Sequence, residues 1–206
     1  MLFDDSYFSI AAPSQAELRD RGSRFLAFAY PLENEKQAKE ILQSLKKEHP
    51  QANHHCYAYR LSPDPAVYRC SDDREPSGSA GRPILNALLS KGITDVLVVV
   101  VRYFGGTLLG VPGLVAAYRG AATDCLERAS IIEKIIYFRY SIHFTFEHSN
   151  EVYQFLRNFQ GKIILQTMEE LCTLQFEIRK SAAASMEHHF QQHSILSHKA
   201  TLAPHI

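Results

Sequence analysis

The chain has no excess charge of either sign. Lysine and arginine together number 22, as do aspartate and glutamate, so the formal charge is zero and the pI is near 7.1. The balance holds locally as well: residues 1–130 carry 15 basic and 15 acidic side chains, and residues 131–206 carry 7 and 7. An extended basic footprint for nucleic acid is therefore absent. Histidine alone is uneven, with three in the first part and seven in the second, which would turn the second part basic only in mild acid. Long apolar runs are missing too. No window approaches the ~18 apolar residues of a membrane span, so no membrane partner is expected. The opening MLFDDSYFSIAAPS has neither the basic start nor the apolar middle of a signal peptide. Cys56, Cys70, Cys125 and Cys172 show no CxxC spacing. These absences point to a reduced, cytoplasmic protein. There is no P-loop, no GxGxxG and no GxSxG. His54 and His55 are adjacent, would leave a strand on opposite sides, and have no partner pair at zinc spacing. No cofactor is implied.

What is present is organised around Asp95–Gly113, DVLVVVVRYFGGTLLGVPG. Val96–Val101 is a run of six apolar residues, five of them valine. Valine is stiff at χ1 and favours strands, and a run without alternation suits a strand covered on both faces. The run delivers Arg102, Tyr103 and Phe104 to its end. Gly105, Gly106, Gly110 and Gly113 follow, and then a helix from Gly113 to Ala129 whose Ala116, Ala117, Gly120, Ala121 and Ala122 permit close approach to a sheet. The carboxyl end of such a strand is where open α/β sheets place ligands.

The flanking elements read outward from this strand. Residues 1–20 form an irregular or edge-strand lead-in, and Ser23–Tyr30 alternates as a strand. Asn34–His49 has Ala38, Ile41, Leu42 and Leu45 at helical spacing before Pro50. His55–Leu61 and Val67–Asp72 make a hairpin around Ser62–Ala66, a register that sets Ala58 against Cys70. His55, Tyr57, Tyr59, Arg69, Ser71 and Asp73 then share a face, either a stacking surface for bases or tyrosines packed under a helix. Pro83 opens a helix to Lys91, ended by Gly92. The order for residues 1–130 is β-α-β-β-α-β-α.

The stretch Ser71–Gly81, SDDREPSGSAG, holds the remaining polar candidates. Its loop Ser77–Gly81, with Gly78 and Ser79, enters a helix start, as does Gly105–Gly113. Exposed amides at helix starts favour anions, and Arg82 and Arg102 offer planar forks for phosphate; glycines that merely permit tight turns are the alternative. Asp72, Asp73 and Glu75 are weak candidates for Mg²⁺, against the ordinary use of acidic residues in turns. Nothing places a histidine near Ser77 or Ser79 to make a nucleophile.

Residues 131–206 have a different pattern. Ile132–Phe146 reads as one long strand, Ser149–Phe159 as a helix, and Gly161–Met168 with Leu171–Ile178 as a hairpin. Ala182–His193 is a second helix and Ile195–Leu202 a last strand. This β-α-β-β-α-β order is that of a ferredoxin-like domain. His188, His189 and His193 sit on its second helix as solvated side chains, the alternative being adventitious metal binding by the i, i+4 pair His189 and His193.

HHCYAYR (His54–Arg60), SDDREPSGSAGRPIL (Ser71–Leu85) and VVVVRYFGGTLLGVPGLVAAYRGA (Val98–Ala121) closely resemble the IMPACT/YigZ family, and Gly22-Ser23-Arg24-Phe25 resembles its opening strand. With the second domain the likeness spans nearly the whole chain, as in bacterial two-domain members. Arg74 stands where a glycine is usual, and Val111–Pro112 where the loop usually reads Thr-Gly. The resemblance implies an α+β protein: a first domain like those of ribosomal proteins and elongation factor G, and a ferredoxin-like second domain. Eukaryotic members restrain the kinase that shuts down translation initiation during amino-acid starvation, and they carry an extra N-terminal partner-binding domain for which this chain has no room. No enzymatic activity is established for the family. The implied function is non-enzymatic and translation-linked: binding of RNA, the ribosome or a protein partner through the glycine loops, with Arg24, Arg102 and Tyr103 contributing. The alternatives are an enzyme or sensor for a phosphorylated small molecule with Mg²⁺, and a protein-interaction module anchored at Tyr103–Phe104.

Overall fold

A computed structural model describes residues 5–61 and 67–204. One unit contains residues 7–134, and a second contains residues 135–204 together with residues 5 and 6. The first runs β1 (Ser6–Ile10), β2 (Ser14–Asp20), β3 (Ser23–Pro31), α1 (Glu35–Glu48), β4 (His54–Arg60), β5 (Tyr68–Ser71), α2 (Gly81–Lys91), β6 (Val96–Tyr103), α3 (Gly110–Glu127) and β7 (Ile131–Ile135). Five strands form a sheet in the order β2-β3-β6-β4-β5, antiparallel at every pairing, and β1 pairs with β7.

The apolar run lies in the middle strand, β6, because both of its faces are covered. Val96, Val98 and Val100 pack into a core with Ile84, Leu88 and Tyr118 of α2 and α3. Leu97, Val99 and Val101 pack with Ala38 and Leu45 of α1. Alternation is lost in the sequence because neither side of the strand meets water. The sheet is not the parallel one for which the ligand-position rule was framed. Its β3-α1-β4 and β5-α2-β6 crossovers each skip one strand, and the skipped place is filled by an antiparallel neighbour. The hairpin register matches the expected one, with Ala58 opposite Cys70; its expected loop, Ser62–Ala66, lies outside the described residues. Local signals end the helices as read. Asn34 caps α1, its side chain accepting from the Gln37 amide, and Gly92 closes α2 in the left-handed region at φ 65°.

Backbone crossing fixes where β6 can end. A Cβ on Gly105 would come within 1.9 Å of the Gly22 carbonyl carbon, and the Gly105 amide donates to Ser23 Oγ at 3.1 Å. The turn before β3 and the exit from β6 thus touch through bare backbone.

The second unit is ferredoxin-like: β8 (Tyr137–Phe144), a 3₁₀ turn at Phe146–His148, α4 (Ser149–Asn158), β9 (Lys162–Thr167), β10 (Cys172–Arg179), α5 (Lys180–Gln192), α6 (Leu196–Lys199) and β11 (Ala200–Pro204), with sheet order β11-β8-β10-β9. Two expectations are corrected here. The long strand breaks at Ile136, whose amide donates to the Asp5 carbonyl and whose carbonyl accepts from the Lys180 amide. Its halves, β7 and β8, therefore belong to different sheets. The last strand starts at Ala200 because residues 196–199 form a helical turn that buries Leu196. The start of α5 has no capping side chain of its own. Asp5 serves instead, accepting from the Ser181 amide at 2.9 Å, and that backbone bond holds its carboxyl below the usual range. Among the described residues no helix is long and apolar enough to cross a membrane.

Gly105→Ala should lower stability by upward of about 2 kcal/mol, since the extra methyl meets backbone and not a movable side chain. A urea midpoint within error of wild type would contradict the crossing described here.

Candidate binding site at the end of the central strand

Alternation along β6 sends Arg102 toward α2 and α3 and Tyr103 toward α1. The Arg102 guanidinium lies over the rings of Phe25 and Phe104, 5.4 and 5.6 Å from their centroids. Tyr103 packs on the opposite face, its hydroxyl 2.9 Å from His49 Nδ1, with the Arg24 guanidinium 5.9 Å from its ring centre. Arg24 is otherwise tied to Glu17. The arginine and tyrosine expected to act together are therefore separated by the sheet.

Arg102 is 5% exposed and donates from Nη1 to Glu75 Oε1 at 2.6 Å. Glu75 is buried as well. The same oxygen accepts from the Tyr118 hydroxyl at 2.7 Å, and His54 Nε2 lies 3.7 Å away. Burial pushes the Tyr118 hydroxyl far above its ordinary range, so it stays a donor. It also pushes up the thiol of Cys56, which lies 3.4 Å from that hydroxyl. Such a pair adds little net stability against an apolar replacement, but removing one partner strands a buried charge.

The acidic cluster does not converge. Asp72 turns back to the start of α2, where Oδ1 accepts from the amides of Ala80 and Gly81 at 3.0 and 2.8 Å and Oδ2 from Gly78 at 2.9 Å. The anion that the Ser77–Gly81 loop was expected to hold is thus supplied by the chain itself. Gly81 fits there because a Cβ would meet the Ser71 backbone at 2.7–2.8 Å. Asp73 Oδ2 accepts from the His55 amide at 2.7 Å, and the Asp73 amide approaches Ser71 Oγ at 3.3 Å. Among the described residues no group of three histidine, cysteine or acidic side chains is placed to hold a metal. Ser79 is buried against the Pro76 carbonyl, while Ser77 and Arg82 are exposed.

The shared face of the hairpin also resolves into packing. Tyr59 is 3% exposed within the α1 core, and Tyr57 stacks beside it with centroids 6.4 Å apart. His55 is buried in the same layer, with no partner for its Nε2 among the described residues, and burial lowers its pKa.

What faces outward is a cavity of about 460 Å³. Arg102, Glu75, His54 and Asn53 supply its polar lining; Pro76, Phe104, Leu108, Leu109, Val111 and Leu114 supply the rest. Asn53 ties the mouth to the strand end, its Oδ1 accepting from the Phe104 amide at 2.8 Å and its own amide donating to the Arg102 carbonyl. Gly106 takes positive φ in the loop and Gly110 does so as the first residue of α3, which starts there and not at Gly113 as expected; Gly113 lies in its first turn with its Cβ position 3.0 Å from Leu109 Cβ. Leu108, 82% exposed, Val111, 51% exposed, and Phe104, 44% exposed, surround the opening. Sequence reasoning missed His54, Asn53 and Tyr118. Tyr118 sits at core spacing on α3, and only the fold brings it to Glu75. The pair Leu108–Leu109 inside a glycine-rich loop was the available signal.

A family model described as the Impact N-terminal domain matches residues 21–126. The chain is similar to IMPACT family member YvyE of Bacillus subtilis, 36% identical over 129 residues that cover 63% of this chain and 59% of that protein. It is similar to IMPACT family member YigZ of Escherichia coli, 35% identical over 162 residues that cover 78% of this chain and 79% of that protein. A crystal structure described as a hypothetical protein superposes over 98% of both chains with a TM-score of 0.73 at 30% identity.

Replacing Glu75 by alanine should cost about 3–5 kcal/mol, and Glu75→Gln, which keeps an acceptor for Arg102 and Tyr118, clearly less; equal losses in urea unfolding would discount the charge. His55 has a lowered pKa in the folded state, so its contribution is complete above its ordinary 6.5 and is lost as pH falls toward the folded value. The drop in urea midpoint between pH 7 and pH 5 should therefore shrink in His55→Gln. An unchanged drop would remove His55 from the acid response.

Proposed function

The chain belongs to the IMPACT family, and from that premise we propose that it is a translation-linked regulatory protein that acts by binding a partner in the translation apparatus, without catalysis. Its binding face is the Phe104–Val111 corner of the first unit. The observation that carries this reading is the exposure of Leu108, Val111 and Phe104 around a formed cavity. Exposed apolar side chains grouped about a pocket are the usual mark of a docking site.

The polar groups support binding over chemistry. The Asp72 carboxylate is taken up by α2 amides, and Arg102, Glu75 and Tyr118 bond one another. A general base, a nucleophile or a phosphate clamp would need one of these groups free. Contact through RNA phosphates draws little support, because the arginine lining the cavity is already neutralised by Glu75.

Co-sedimentation with ribosomes from cell extract, at low and moderate salt, tests this reading. Wild type should associate with weak salt dependence, and Leu108→Asp should lower the bound fraction at least about fivefold, roughly the worth of one apolar anchor. Because Leu108 is so exposed, the variant should keep its melting temperature. Unchanged association in the variant would take the loop out of the argument, and association that disappears with modest salt would return it to phosphate contacts.

A further inference from the structure

The sheet of the second unit has an unguarded edge. Its order is β11-β8-β10-β9, so β9 pairs with β10 on one side and with no strand on the other. Every residue of β9, KIILQT, is exposed. Ile163, Ile164 and Leu165 follow one another along it, Leu165 being 53% exposed, and the exposed Met168 lies just beyond. Edge strands are usually blunted by proline, by charges along the strand or by a covering element. Here the only charge is Lys162, at the very start, and there is no proline. The pairing with β10 shifts register once, which leaves Ile164 without a partner there, but Leu165–Thr167 beyond it pair regularly.

The charges at the two ends of the strand specify what fits this edge. Lys162 opens β9, and Glu169 and Glu170 follow it in the bend toward β10. Across the sheet Lys162 faces Glu177, but that carboxylate is already 2.9 Å from Arg139 Nε. Among the described residues none of Lys162, Glu169 and Glu170 is in an ion pair. A strand laid here must be apolar in the middle, acidic beside Lys162 and basic beside the two glutamates. The same segment, run antiparallel, has that pattern. Pairing centred on Gln166 sets Ile164 against Met168 and Leu165 against Thr167, and it brings Lys162 of each copy to the glutamates of the other. Parallel pairing would oppose like charges. Two-fold symmetry makes the contact isologous, so the charge match is made at both ends at once.

We propose that β9 pairs with β9 of a second copy of this chain, joining two four-stranded sheets edge to edge. The contact uses no residue of the cavity in the first unit. It is small, so the dimer exchanges with monomer.

Sedimentation equilibrium of the full chain, from about 10 μM to about 1 mM, tests this, with a dissociation constant of roughly 0.1 mM expected for so small a contact. At the upper concentration, hydrogen exchange should slow at the amides of residues 163–168 and stay unchanged at residues 104–111. Lys162→Glu should weaken the dimer at least about tenfold, since it opposes like charges at both ends. Adding Glu169→Lys and Glu170→Lys to it should restore the constant to within about threefold of wild type. Leu165→Lys should leave only monomer. These positions are exposed, so the melting temperatures of dilute samples should not move. The inference is overturned by a wild type that is monomeric at 1 mM, by a dimer indifferent to Lys162→Glu, or by a triple variant no tighter than the single one. Slowed exchange away from β9, or association that continues past the dimer, would overturn it too. A monomeric wild type whose ribosome association is lost in Leu165→Lys would assign the edge to a strand of another protein. Leu108→Asp should leave the dimer unchanged, so this inference and the docking role of the first unit fail separately.

Discussion

A single carboxylate oxygen joins three parts of the first unit. Glu75 Oε1 accepts from Arg102 at the end of β6 and from Tyr118 in the middle of α3, while Glu75 itself belongs to the loop that leads into α2. All three are buried. The charges cancel within a hydrogen bond's length, and the tyrosine stays protonated because burial makes ionisation costly. Loss of the carboxylate would leave a guanidinium between two aromatic rings with nothing to balance it. The position of the strand end, the depth of the cavity and the neutrality of its floor all depend on this group.

Asp72 uses the same economy at the start of α2. Helix starts attract anions, and a chain with glycines at such a place invites a search for phosphate. Here the ligand is internal: three amides from Gly78 to Gly81 are satisfied by one side chain. Glycine at position 81 is demanded by the approach of β5. With Asp72 and Glu75 both engaged inside the fold, the opening of the cavity is left to Leu108, Val111 and Phe104, with Asn53 and His54 as polar members of the lining.

Much of the fold could be read from short-range patterns. The valine run identified the central strand because burial on both faces removes alternation, and Asn34, Gly92 and the tyrosine hairpin marked ends and register through local chemistry. The α+β class and the ferredoxin-like order of the second unit were legible for the same reason. The break at Ile136 was not, because Ile132–Phe146 stays strand-like on both sides of it and the change of sheet depends on bonds to Asp5 and Lys180. The site was legible as a region and not as an arrangement. Adjacency in sequence grouped Arg102 with Tyr103, whereas the pleat divides them, and it grouped Asp72, Asp73 and Glu75, which go to α2, β4 and β6. The partners that decide their roles, Tyr118 and the α2 amides, lie at distances that no local pattern encodes.

The bond from Asp5 to α5 reaches across 176 positions of the chain, and it changes what counts as an excisable piece. A fragment beginning at Ile131 would look like a complete ferredoxin-like module on paper. It would lack the carboxylate at the Ser181 amide and the carbonyl that receives the Ile136 amide. During synthesis, Asp5 must wait for the 176 positions that separate it from Ser181 before its bond can form. Removal of Asp5 would therefore be felt at the start of α5.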